Sequence, residues 1–157
     1  MCNFWGTGHP DGLTLPKGQR VGRIKDVSRE NNKVYINFDE LSMFWFSDAR
    51  KAQRGDGNCY IQEGGSDCFI PNDYYIRNVS TSTVSLEIAD TIKVVVPYYC
   101  SGVDLSDIKI TFNKLVDGRN ICPRVGATSV NMSSTTLYWI SQDTQGRVIS
   151  ISEQYVP

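Results

Sequence analysis

The chain has 157 residues, 40% of them hydrophobic and 21% charged, a composition that excludes a disordered chain and suits one folded domain with a single core. Sixteen basic residues against seventeen acidic ones leave a net charge of -1, so no general field draws in phosphate backbones and no nucleic-acid partner is expected. The longest apolar runs, such as Val94-Val95-Val96 and Met43-Phe44-Trp45-Phe46, fall far short of the roughly 20 residues that cross a bilayer, so no membrane insertion is expected.

The N-terminal stretch holds the only histidine, His9, within Gly8-His9-Pro10-Asp11-Gly12. A turn-rich segment of this kind does not hold an imidazole rigidly between a nucleophile and an acid, so a catalytic triad is not expected. The stretch has no basic run followed by an apolar one, so no export signal is read in this chain. From residue 33 onward, apolar residues recur mostly with period two, which turns one face of a strand to a core and the other to solvent. Val34, Ile36 and Phe38 alternate in this way, followed by Val84, Leu86 and Ile88, Ile92, Val94 and Val96, and Ile108, Ile110 and Phe112. Leu137, Trp139, Ile149 and Ile151 repeat the pattern near the C-terminus.

Turn chemistry separates these runs at Asn31-Asn32, Ala89-Asp90, Asp117-Gly118-Arg119-Asn120 and Asp143-Thr144-Gln145-Gly146, where Gly and Asn accept positive φ and Asp bonds nearby backbone. Only the segment around 40–53 has helical spacing, in Leu41, Phe44, Trp45, Ala49 and Ala52. Asp39 stands where it would cap such a helix, and Gly55 where it would end one. The expected fold is mostly β: an antiparallel β-sandwich, jelly-roll or immunoglobulin-like, spanning 1–157 as one domain, with one short helix. Trp5, Trp45 and Trp139 are expected in or beside its core.

The five cysteines, Cys2, Cys59, Cys68, Cys100 and Cys122, lack the C-x-x-C spacing of zinc and thioredoxin-like sites, so disulfides and an oxidising compartment are the better reading. Local pairing joins Cys59 to Cys68 and Cys100 to Cys122, although four cysteines permit three arrangements. Cys2 is left over, as a free thiol, a lipidated first residue or the partner of a cysteine elsewhere. No metal site and no cofactor are expected: one histidine cannot form a cluster, and no Gly-rich phosphate loop or calcium loop is present.

Asp56-Gly57-Asn58-Cys59 resembles the run around the nucleophile of ovarian-tumour-type deubiquitinases, but no histidine follows it, and that chemistry is not expected. Paired carboxylates show no marked spacing either, so no enzyme activity is expected. Arg54-Gly55-Asp56 is the tripeptide that integrin ligands display on exposed loops, and Cys59 stands close enough to brace such a loop. Polar and aromatic residues then gather through Pro71-Asn72-Asp73-Tyr74-Tyr75. Ring faces beside Asn and Asp are suited to sugars, because rings pack on C–H faces while polar groups read hydroxyls. The candidate ligand-binding residues are therefore Arg54, Asp56, Asn58, Tyr60, Asn72, Asp73 and Tyr74. Asn78-Val79-Ser80 and Asn131-Met132-Ser133 are glycosylation sequons in form.

An early cysteine, near-continuous short strands, a single histidine and an end at Tyr155-Val156-Pro157 together make the chain resemble the receptor-binding domains of chaperone-usher pilus tip adhesins. The resemblance is one of overall character, and it carries over no binding residue. It implies export, cell-surface display, a host glycan or surface protein as partner, and a pilin-like domain following this one. A viral or phage capsid, spike or fibre domain would share the strand pattern, and a small secreted hydrolase is the third alternative.

Overall fold

The computed structural model describes residues 18–78, 82–98, 106–117 and 135–154. They form the strands β1 (Gln19–Glu30), β2 (Lys33–Trp45), β3 (Tyr74–Arg77), β4 (Val84–Tyr98), β5 (Ser106–Ile110), β6 (Leu137–Gln142) and β7 (Val148–Gln154), with helices α1 (Phe46–Gly55) and α2 (Phe112–Asp117). Among these residues, 41–78 make one compact unit and the rest make a second. The fold is mostly β, as the alternation predicts.

The larger unit starts from a tight hairpin. Asn31 and Asn32 take φ of 50° and 63°, the left-handed pair that a two-residue turn requires and that Asn tolerates. β2 then pairs antiparallel with β4, from Tyr35 opposite Glu87 to Phe38 opposite Val84. β4 lies parallel to β7, β7 antiparallel to β6, and β6 antiparallel to β1. Because β1 neighbours β2, the order β1-β2-β4-β7-β6 closes on itself as a five-strand barrel, with β5 added outside along β4.

The expected sandwich is thus corrected to a barrel, and the reason lies in β4. Ala89-Asp90 reads as a turn, yet the chain continues through it as one 15-residue strand, and Ala89 is buried. The register against β7 shifts between Ile88 and Lys93. That irregularity allows one strand to pair with β2 through its first half and with β5 and β7 through its second, which closes the sheet.

The barrel is filled by Ile24, Ile36, Phe38, Ile88, Val94, Val96, Tyr138, Ile140, Val148 and Ile151. In β2 and β4 this is the inward set of the period-two pattern, whereas near the C-terminus Tyr138, Ile140 and Val148 turn inward and Trp139 and Ile149, expected in phase, do not. Phe112 and Leu115 join this core from α2. The alternation assigns Phe112 to a strand, but the strand ends at Ile110. There Thr111 caps a helix, its Oγ1 accepting the Lys114 N–H at 3.2 Å. Gly22 marks the tightest approach in the barrel: a Cβ there would sit 2.2 Å from the Asp39 carbonyl oxygen and 2.7 Å from the Phe38 ring. The β6–β7 turn follows its sequence signal, with Asp143 accepting the N–H groups of Gln145 and Arg147, each at 2.9 Å.

In the smaller unit the end of β2 pairs antiparallel with β3, from Ser42 opposite Arg77 to Trp45 opposite Tyr74. The helix is present, but it starts at Phe46 rather than near residue 40. Asp39 is no cap; it lies buried within β2, with Lys25 Nζ 3.5 Å from its carboxylate. Leu41 and Met43 are buried while Ser42 is exposed, so strand alternation runs straight through residues that also sit at helical spacing. α1 buries Ala49 and Ala52 and ends at Gly55, where the sequence places its stop.

Candidate functional site

The unit of residues 41–78 is built on one covalent bond. Cys59 and Cys68 are joined, with Cα atoms 5.1 Å apart. The Phe69 N–H donates to the Tyr60 carbonyl at 2.7 Å, and Ile61 pairs with Cys68. Between them the Gly65 N–H donates to the Gln62 carbonyl at 2.8 Å, and Gly64 takes a φ of 80°. The result is a small hairpin whose second side, residues 68–70, alternates in burial as a strand does. Cys68 and Ile70 are buried, whereas Tyr60, Ile61 and Phe69 remain exposed.

A polar clamp holds the chain that leads into this hairpin. The Arg77 guanidinium donates from Nε to Asp56 Oδ2 at 2.8 Å and from Nη2 to Asp56 Oδ1 at 2.7 Å. It lies 4.8 Å from the centre of the Phe44 ring, a cation–π arrangement. The Tyr75 hydroxyl donates to Asp56 at 3.1 Å and accepts from the Asn58 amide at 3.0 Å. Arg77, with help from Tyr75, holds the Asp56 carboxyl below the usual range, and Asp56 in turn raises Arg77. Arg54 pairs with Asp67. Asp67 also accepts the Cys68 N–H at 2.7 Å; that bond, followed by the charge of Arg54, lowers its carboxyl.

Both charged ends of Arg54-Gly55-Asp56 are thereby engaged inside the unit, at the end of α1 and the turn after it. Asn58 belongs to the same clamp. Tyr75 lies in the aromatic run that the sequence singles out, but the partners Asp67 and Arg77 carry no sequence signal, because only the pairing of β2 with β3 brings residue 77 beside residue 56.

Asn72, Asp73 and Tyr74 lie elsewhere in the unit, at an aromatic corner. Tyr74 stands opposite Trp45 with ring centres 5.7 Å apart, and Phe46 lies 6.5 Å from Trp45. Asn72 and Asp73, both exposed, take φ of 58° and 61° just before Tyr74. Phe46 takes a φ of 50° while its side chain is 60% exposed. Five non-Gly residues among the described ones have positive φ. Two form the β1–β2 turn; the other three flank this one cross-strand pair. For a bulky residue such as Phe that backbone is a genuine outlier.

Tyr60 is the one sequence-selected residue on the hairpin. Its apolar neighbours Ile61 and Phe69, and the corner residues Trp45 and Phe46, were not selected, because an apolar residue in a sequence reads as core by default. Asn78 is exposed. Cys2, Trp5, His9, Cys100, Cys122 and Asn131 lie outside the described residues, and with them the proposed 100–122 bond. Among the described residues no set of His, Cys, Asp and Glu is arranged to hold a metal ion, and no helix is long and apolar enough to cross a membrane. On the barrel, burial pushes the Glu153 carboxyl up to about 7.

Compared with known proteins, the chain matches no family model, no curated protein and no solved structure.

Proposed function

We propose that the chain is an exported recognition module, displayed outside the cytoplasm, whose binding part is the unit of residues 41–78 and whose partner is a glycan or a surface protein. One observation carries this reading. Of the six large apolar side chains left exposed among the described residues, four, Phe46, Tyr60, Ile61 and Phe69, belong to this one unit. Three of the four, Tyr60, Ile61 and Phe69, share the single hairpin closed by the disulfide, and large exposed apolar groups gathered in one place mark interaction surfaces, whereas scattered single ones do not. The disulfide supports export, since such bonds persist in oxidising compartments. It also limits the entropy that the hairpin loses on meeting a partner. In this reading Arg54, Asp56 and Asn58 keep the surface in shape and do not meet the ligand.

The barrel serves as the scaffold. Some five-stranded Greek-key barrels take oligonucleotides or oligosaccharides on an outer strand face, an analogy of fold alone. Here several cations of the barrel are paired within it: Lys33 with Glu87 at 3.0 Å, Arg20 with Glu40 at 3.6 Å and Arg147 with Asp143 at 2.8 Å. The net charge of -1 supports keeping nucleic acid out of the reading.

The test is binding of the oxidised, labelled protein to a printed glycan array and to the surface of animal cells. Specific binding that is lost either in Tyr60→Ser/Phe69→Ser or in Phe46→Ser, with an unchanged circular dichroism spectrum, is the expected result. Silence on both targets, or full binding by that variant and by Phe46→Ser, overturns it.

A further inference from the structure

Resting on that reading, we infer that the aromatic corner of Trp45, Phe46 and Tyr74, flanked by Asn72 and Asp73, is a binding site for a neutral pyranose. Phe46 gives the argument its direction. At a φ of 50° glycine is the residue the backbone favours, and any bulky side chain is strained. A strained aromatic residue is ordinarily compensated by burial, yet this ring is 60% exposed. Its packing return within the unit is small: the ring leans on Trp45 with centres 6.5 Å apart and is otherwise mostly open. What the strained backbone achieves is the presentation of a flat apolar face beside Trp45, whose ring is itself tilted against Tyr74 at a centre distance of 5.7 Å.

Flat ring faces accept the C–H face of a sugar, and sugar hydroxyls then need donors and acceptors at the rim. Asn72 offers both, and the Asp73 carboxylate accepts strongly. Their consecutive left-handed backbones, 58° and 61°, turn the chain sharply just before Tyr74, so both stand at the edge of the aromatic pair. Electrostatics narrows the class. Asp73 at the rim repels a carboxylated sugar, while Arg54 and Arg77 of the same unit are already paired with Asp67 and Asp56. The carboxylate beside the rings thus favours an uncharged hexose over an acidic one.

The experiment is an amide and indole NMR titration of the oxidised protein with the methyl glycosides of mannose, glucose and galactose, with N-acetylneuraminic acid as the anionic control. A printed array of neutral glycans extends the panel. Expected are shifts centred on the Trp45 indole N–H, Phe46, Asn72 and Asp73 with a neutral sugar and none with the acid. Phe46→Gly should weaken binding about tenfold or more while the melting temperature holds or rises, which a packing role for Phe46 would not allow. Asp73→Asn should keep the neutral sugar and lose discrimination against the acid. Binding that survives Phe46→Gly, no neutral glycan bound anywhere on the array, or a fall in melting temperature of Phe46→Gly each overturns the site. If cells are bound regardless, and Tyr60→Ser/Phe69→Ser abolishes that binding, the ligand is a protein at the hairpin. The recognition reading then stands while the sugar site falls; with no binding of any kind, both fall.

Discussion

Removing the Cys59–Cys68 bond is expected to loosen one hairpin and leave the barrel intact. The bond joins residues nine apart in sequence, and closing so short a loop takes about 2.6 kcal/mol of conformational entropy from the unfolded chain. Cys68 is 2% exposed, so Cys59→Ala/Cys68→Ala is a cleaner change than serine, which would bury a hydroxyl. The clamp of Arg77 on Asp56 and the pair of Arg54 with Asp67 remain in the variant, and they anchor the hairpin at its base. Native-state amide exchange is the assay. Protection of the Phe69 and Gly65 amides, which donate within the hairpin at 2.7 and 2.8 Å, should fall by about 2–3 kcal/mol. Amides of β6 and β7 should change by less than about 0.5 kcal/mol. Ligand binding should weaken at reductant concentrations that leave the barrel folded. Equal losses in hairpin and barrel, or unchanged protection at Phe69, would show that the bond does not act as a local clasp.

Two further expectations concern the barrel. Gly22→Ala places a methyl group 2.2 Å from the Asp39 carbonyl oxygen, a backbone atom that cannot swing aside; urea denaturation should show a loss of about 3 kcal/mol, and a loss below about 1 kcal/mol would refute the close approach. The Glu153 carboxyl is raised from 4.5 to about 7 by burial alone, so its contribution is fully present below about pH 4.5 and is lost as the pH rises through 7. Because the group is partly exposed, stability should fall by about 2 kcal/mol between pH 5 and pH 8. Glu153→Gln should flatten that slope, and an unchanged slope in the variant would assign it to other groups.

Several features were legible residue by residue. Asn31-Asn32 and Asp143 to Gly146 read as turns because the side chains that fix them act within their own four or five residues. Cys59 and Cys68 could be paired by nearness alone. The inward set Ile36, Phe38, Ile88, Val94 and Val96 follows from period two, whereas near the C-terminus the strands turn Tyr138 and Ile140 inward instead of Trp139 and leave Ile149 exposed. Elsewhere two local readings competed and packing chose between them. Leu41, Phe44 and Trp45 fit a helix by spacing, but Leu41 and Met43 bury better as β2. Ala89-Asp90 fits a weak turn, but the chain runs on and bends there. Phe112 continues an alternation, yet Thr111 caps a helix in front of it.

The candidate site was legible as a region and not as an arrangement. Tyr60, Asn72, Asp73 and Tyr74 lie on exposed or half-buried surface of the unit that also exposes Phe46 and Phe69, whereas Arg54, Asp56 and Asn58 are drawn into a clamp by residues 67, 75 and 77. No spacing rule announces that clamp, since it depends on which strand lies next to β2.

By itself the sequence determined a β-rich chain, the positions of its short turns and one clasp between near neighbours, because each of these is set by interactions within about ten residues. Barrel against sandwich, the engagement of Asp56 by Arg77, and the strained aromatic corner at Phe46 were decided only by tertiary structure. An alternating strand has the same pattern whether its sheet stays open or closes, and only the long-range pairing of β4 with β2 and β7 selects between them.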